Sequence, residues 1–229
     1  MTTTPLRRRA VLGACAAAPA LALAACSPHS SETGAVEDLM REHGVLRRAF
    51  LVYQECVGRL RAGVAVDAAA LHETATLFRA FGEDYHERKL EEAFIFPALR
   101  KKGGRLETLV DTLKTQHARG REITDYVLRV TAGASISASD AEPLARVFQY
   151  FAMMYANHTA REDTILFPAW KETLSPDALD EIGERFEDIE KQEFGSDGFA
   201  EAVRRISHVE EALGLSDLAQ FTAPEPPRS

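Results

Sequence analysis

Two stretches of the chain repeat one signal. Residues 86–97 read HERKLEEAFIFP and residues 158–168 read HTAREDTILFP. Each holds a His, a carboxylate about one helical turn later, an aliphatic run and a Phe-Pro. Counted back from Pro97 and Pro168, Glu91 matches Glu162, Glu92 matches Asp163, and His86 matches His158 with one residue of slippage. A lone His precedes each copy: His43 lies 43 residues before His86, and His117 lies 41 residues before His158. A His-Glu set given twice is what a two-metal site inside a four-helix bundle needs. The signal therefore restricts the fold to helices long enough to bring both halves to one level.

The rest of the sequence supplies those helices. Four long segments have helical period and none shows strand-like alternation. They run over about residues 36–62, 68–102, 106–131 and 141–174. Val36, Leu39, Leu46, Phe50 and Val57 share the face of His43. Leu106, Val110, Leu113, Thr124 and Leu128 flank His117; Val147, Phe151, Met154, Tyr155 and Ile165 surround His158. Asp67 is a candidate N-cap for the second helix. Gly103-Gly104 and the turn-rich residues 133–139 separate later helices. Short links between long amphipathic helices imply antiparallel neighbours, so the expected fold is all-α, an up-down-up-down four-helix bundle over residues 36–174. Two further helices follow. Ser175-Pro176 starts an acidic one that runs to about Phe194, and the last lies near residues 199–214. Together they make a C-terminal extension over 175–214, and the Pro-rich residues 215–229 are expected to fray.

In an antiparallel bundle the starts of helices one and three lie beside the ends of helices two and four. His43, His86, His117 and His158 then sit at a similar level, one per helix. Two inward glutamates beside them call for a cation, because burying an unpaired carboxylate is costly. His158 and Glu162 are i and i+4 and face the same way. His86 and Glu91 are i and i+5, about 140° apart on an ideal helix, where Leu90 holds the aligned place. Either a one-residue π-bulge restores Glu91, or Glu83, one turn before His86, is the carboxylate instead. Tyr155, one turn before His158, is placed to hydrogen-bond a small ligand or to pack as core. Gly120 leaves room for a ligand or for close helix packing, and Arg121 reaches either a bridging carboxylate or solvent. His72 and His208 read as surface residues, and the carboxylates of residues 181–193 as a solvated face.

The N-terminus carries a separate message. Arg7, Arg8 and Arg9 precede an Ala-rich apolar stretch that contains Pro19 and ends in small residues, which reads as an export signal over residues 1–25. Arg8-Arg9-Ala10-Val11-Leu12 resembles a twin-arginine signal. Leu23-Ala24-Ala25-Cys26 resembles a bacterial lipobox, implying cleavage before Cys26 and lipidation of its thiol. Ser27 after the cysteine favours the outer membrane, facing the periplasm, and residues 26–35 read as a polar tether. With Cys15 removed and Cys26 lipidated, only Cys56 remains, so no internal disulfide forms. Cys56 lies off the apolar face of its helix and reads as a minor packing residue. Losing three arginines from 27 basic side chains leaves 24 against 35 acidic ones, a net charge of −11. Such a surface argues against nucleic acid and against adsorption to anionic lipid.

Over about residues 36–174 the chain resembles the hemerythrin-like, or HHE cation-binding, family. The residues that carry the likeness are Arg41-Glu42-His43, His86 with Glu91-Glu92 and Phe96-Pro97, Gln116-His117, and His158 with Glu162-Asp163 and Phe167-Pro168. The resemblance implies a non-haem centre of two iron ions with two bridging carboxylates, held by His43, His86, Glu91, His117, His158 and Glu162, that binds dioxygen. The family accepts both His-carboxylate spacings, which favours Glu91. Oxygen-carrying members have two His one turn apart on the third helix, whereas Leu113 and Arg121 stand on either side of His117. Four histidines in place of five argue against reversible oxygen carriage and leave more open positions. The expected function is a di-iron protein that binds, senses or scavenges dioxygen, nitric oxide or peroxide. An oxidase or peroxidase and an iron-handling or structural module are the alternatives, and no motif identifies a protein partner.

Overall fold

A computed structural model describes residues 33–227, which contain helices and no strand. The export signal, Cys26 with its lipobox, most of the tether and His29 lie outside the described residues. Helix α1 is Ala35–Arg61. Helix α2 spans residues 68–100 as an α-helical start Ala68–Leu77, a π-helical stretch Phe78–Ile95 and an α-helical end Phe96–Arg100. Helix α3 is Gly104–Val130. Helix α4 spans residues 138–171 as Ala138–Arg161, a π-helical turn Glu162–Leu166 and Phe167–Lys171. Helices α5, Pro176–Phe194, and α6, Gly198–Leu213, follow. None of the described helices is long and apolar enough to cross a membrane.

Local chemistry sets the helix ends. The Asp67 carboxylate accepts from the N–H groups of Ala69 and Ala70, as its N-cap reading predicts. Ser137, Ser175 and Asp197 cap α4, α5 and α6 in the same way. Gly103 and Gly104 take φ of 72° and 63°, so the chain turns sharply between α2 and α3. The first four helices pack as a ring, α1 on α2, α2 on α3, α3 on α4 and α4 back on α1. Helix α6 lies against α1 and α2, and α5 against α1 and the π stretch of α2.

Below the level of the four histidines the core is aromatic. Tyr155 stacks on Phe50 at 4.7 Å and meets Phe78 and Phe151 edge-on, while Tyr53 stacks on Phe148 at 4.2 Å. These side chains are buried. Fully burying one such side chain contributes about 1.5–3 kcal/mol, so the column anchors the helices that carry histidines above it.

Both copies of the repeat are π-helical, not one. The backbone N–H of Phe96 bonds to the carbonyl of Glu91, and that of Phe167 to the carbonyl of Glu162. The Phe-Pro pair accounts for the last π turn of each copy. A proline inside a helix has no N–H to give and clashes with the carbonyl four residues back. A wider i to i+5 turn before it relieves the clash. The extra residue shifts the phase of the helix beyond it. Ile165, expected on the face of His158, is 48% exposed, and Leu166 is buried in its stead.

Two further expectations change. Cys56 is not peripheral but fully buried, because α6 covers α1 on a second side and widens its buried face; burial pushes the thiol up to about 11. His72 is half-buried and bonds Thr131 at 3.1 Å, whereas His208 is exposed. In the tail, Leu215 is buried and Asp217 caps a 3-10 turn, Leu218–Phe221. Replacing Pro168 with Ala lets the ladder relax toward an α register. The metal-free protein should then gain about 1–3 kcal/mol in denaturant unfolding, while its metal content falls because Asp163 and Phe167, in and beyond the turn, shift off His43. Unchanged stability together with unchanged metal content would refute this account of the π turn.

Candidate metal centre

The four helices bring His43, His86, His117 and His158 together at one level, all buried. Each ring is held by its Nδ1. His43 Nδ1 lies 2.7 Å from Asp163, His86 Nδ1 2.5 Å from Glu42, His117 Nδ1 3.0 Å from Glu92, and His158 Nδ1 2.9 Å from the amide oxygen of Gln116. Carboxylates and an amide oxygen accept, so each Nδ1 carries a proton and each ring turns its Nε2 inward. The inward nitrogens meet in pairs, His43 with His86 at 3.0 Å and His117 with His158 at 3.1 Å. Two nitrogen lone pairs facing each other at that distance repel unless a cation lies between them.

Two glutamates complete the set. Glu91 places one oxygen 3.5 Å from His86 Nε2 and the other 3.3 Å from His117 Nε2. Glu162 places one oxygen 3.0 Å from His158 Nε2 and the other 3.6 Å from His43 Nε2. Both residues are fully buried, and none of their four carboxylate oxygens has an aligned hydrogen-bond donor. The close contacts therefore count as charge proximity and not as hydrogen bonds. Ligand atoms of Glu91, His117, His158 and Glu162 all lie within 4.8 Å of one another, as do those of His43, His86 and Glu91. Orphaned buried carboxylates of this kind are expensive in a protein interior, and a metal ion fits them.

Without metal, protons fill the role. Burial opposes charge on His86, but the Glu91 charge outweighs it and holds the ring well above its ordinary value. His117, likewise against burial, is pushed up to about 10 by Glu87, Glu91 and Glu92. Burial drives His43 and His158 down, with the His117 charge adding to the effect at His158. Burial also favours a neutral Glu91, but the His86 charge keeps it ionised, whereas burial and the Glu91 charge raise Glu162 well above the carboxylate range. In each facing pair one ring is thus favoured as the charged partner, His86 and His117, and of the two glutamates Glu91 is favoured as the charged one. Metal loading must displace these protons.

The two halves obey one wiring rule. The residue before each lone His, Glu42 or Gln116, holds the second His of its own half. The residue after each inward Glu, Glu92 or Asp163, holds the lone His of the other half. The Phe of each Phe-Pro stacks on that same ring, Phe96 on His117 at 5.3 Å and Phe167 on His43 at 5.4 Å. An arginine four residues after each lone His clamps the acceptor, Arg47 on Asp163 and Arg121 on Glu92. The motif neighbours Glu42, Gln116, Glu92 and Asp163 thus orient the ring nitrogens. The repeat itself was the signal that could have assigned them.

A match to the hemerythrin HHE cation-binding domain covers residues 34–170. The chain belongs to that family. Uncharacterized proteins of Mycobacterium bovis and of two Mycobacterium tuberculosis strains are each 40% identical to it over 232 residues, covering 94% of this chain and 90% of the relative. No solved structure matches the chain. It is thus a helical protein of a metal-binding family, with buried His and Glu clusters that fit a metal site.

Two sequence expectations need correction. Glu83 does not point at the histidines. It is buried one turn away, accepts from Thr124 at 2.6 Å and pairs with Arg79 at 2.9 Å. The π stretch that brings Glu91 inward removes the need for it. Arg121 reaches neither inward carboxylate. It bonds Glu92 at 2.5 Å and Glu87 at 3.1 Å. Glu87, buried beside His86 and bonded to the Tyr155 hydroxyl, had no sequence signal.

Burial pushes Glu83 up to about 8 from an ordinary 4.5, against the Thr124 hydrogen bond. The folded chain therefore binds more protons here than the unfolded one, and stability falls as pH rises through that window. Glu83→Gln should stabilise the metal-free protein by an amount that grows from about pH 4.5 and levels off above about pH 8. Urea midpoints across that range test it, and a pH-independent difference would contradict it. Metal content should stay at the wild-type level.

Proposed function

We propose that this is a non-haem di-iron protein that binds a small oxidant, dioxygen, nitric oxide or peroxide, in order to sense or scavenge it. One observation carries the reading: four inward nitrogens in two facing pairs, joined by two carboxylates that each reach from one pair to the other. The His43–His86 pair suits one ion and the His117–His158 pair the other, with Glu91 and Glu162 bridging. Mixed imidazole and carboxylate sets in bundle interiors hold iron or manganese, and the family favours iron. Bound iron would supply redox capacity and a place for an exogenous ligand.

The chain's own residues limit that ligand. Around the centre, Leu46, Glu87, Tyr155 and Thr159 pack closely against His43, His86, His158, Glu91 and Glu162. Organic ligands need about 300 Å³ or more, far more than this packing leaves, so any ligand of the centre is a small one. Glu42, Glu92, Asp163 and Gln116 fix the rings that surround it. Metal analysis of the purified protein should find two iron ions per chain, with an optical spectrum that changes on adding oxidant. Glu162→Ala should bring the content well below two. Full stoichiometry in that variant would remove the bridging role, and wild-type protein that takes up no iron would remove the reading.

We further propose that the protein is an exported lipoprotein, on the arginine-headed apolar segment and the lipobox at Cys26. Cys26→Ser should block maturation and leave an unprocessed or mislocalised chain in cell fractions. Unlipidated wild-type protein that retains Met1 in the cytosol would overturn this.

A further inference from the structure

The two halves share one wiring rule but break it in one region. Three residues after the lone His, the first half has Leu46 and the second has Gly120. Three residues before the second His, the first half has Glu83 and the second has Tyr155. The position after the second His is Glu87 in one half and Thr159 in the other. Leu46, Glu87, Tyr155 and Thr159 all line the pocket beside the metal centre. The asymmetry thus falls on the wall that a small ligand meets.

The phenol of Tyr155 is fixed from every side. Its ring stacks on Phe50 and lies 5.0 Å from the ring of His158. A Cβ at position 120 would lie 2.6 Å from its hydroxyl oxygen, so only glycine admits it there. The hydroxyl donates to one oxygen of Glu87, while Arg121 donates to the other oxygen at 3.1 Å. Arginine has no acceptor, so the polarity of this chain of hydrogen bonds runs one way. A hydroxyl has one proton and two lone pairs. With its proton committed to Glu87, Tyr155 can offer an approaching molecule only an acceptor.

We propose that Tyr155 selects the ligand of the centre, favouring a small molecule that brings its own O–H, of the hydrogen peroxide class, over an aprotic one of similar size such as azide or nitric oxide. The proposal rests on the di-iron reading above and narrows it. It makes Tyr155 a specificity residue and Glu87, Arg121 and Gly120 positioning residues that fix the direction of its hydroxyl.

The test uses full-length, iron-loaded, oxidised protein and two probes. Azide affinity is read by optical titration, and hydrogen peroxide by its displacement of the azide band in rapid mixing. Tyr155→Phe should keep iron, leave azide affinity within about twofold and weaken peroxide by about five- to tenfold, the worth of one hydrogen bond. Glu87→Gln should abolish the preference. Arg121 holds the amide oxygen, the amide N–H₂ then donates to the phenol, and the freed phenolic proton turns to the pocket. Azide should bind more tightly and peroxide about as before, since a peroxide oxygen also accepts. Equal shifts for both probes in Tyr155→Phe, or no gain for azide in Glu87→Gln, would overturn the proposal. Loss of iron from Tyr155→Phe would make Tyr155 structural and overturn it too. If wild-type protein itself takes up no iron, the di-iron reading fails and takes the proposal with it; the other outcomes leave that reading standing.

Discussion

Two carboxylates without hydrogen-bond partners, Glu91 and Glu162, sit in the middle of a bundle whose core is otherwise largely aromatic and aliphatic. In water each would be solvated. Here each faces two imidazole nitrogens and nothing that donates along a proper line. A fold can keep such groups only by supplying positive charge, as protons when empty or as cations when loaded. The Nδ1 acceptors, the arginine clamps and the Phe-Pro turns all serve that requirement. Each fixes a ring or a carboxylate in a direction that a metal-free core would not choose.

The cross-wiring explains why one signal appears twice. Glu92 and Phe96 of the first half hold His117 of the second, and Asp163 and Phe167 of the second hold His43 of the first. Neither half can orient its own lone histidine. The centre therefore forms only when both helix pairs dock, which couples its geometry to the whole bundle. The glutamates add a second tie, since each reaches a histidine of both halves.

The helical class, the four-helix ring, the six candidate ligands and the N-caps at Asp67 and Ser175 were legible because periodicity and capping are local properties. The π register was half legible. The misfit between His86 and Glu91 exposed it in α2, but His158 and Glu162 fit an α-helix, so nothing marked the turn in α4. Only the shared Phe-Pro could have done so, and Ile165 was misplaced as a result. Glu83 was ambiguous on an ideal helix because it shares the face of His86. Glu87 and the depth of Cys56 depended on contacts with α3, α4 and α6, distant in sequence, which no local pattern records.

The C-terminal extension acts on one half more than the other. Arg48 bonds Glu210, Arg59 bonds the carbonyl of Leu213, and Arg205 bonds Glu73, so α6 is tied to α1 and α2. Phe194 of α5 packs on Phe81 and Tyr85 of α2. Helices α1 and α2 carry Glu42, His43, His86 and Glu91. Among the described residues no further helix covers α4 in this way, and Tyr150 and Met153 are 65% and 56% exposed there. The braced half supplies Glu87, the acceptor that sets the polarity of the ligand wall, and the uncovered half supplies Gly120 and Tyr155. A fixed carboxylate on the rigid side is what allows a phenol on the other side to hold one orientation.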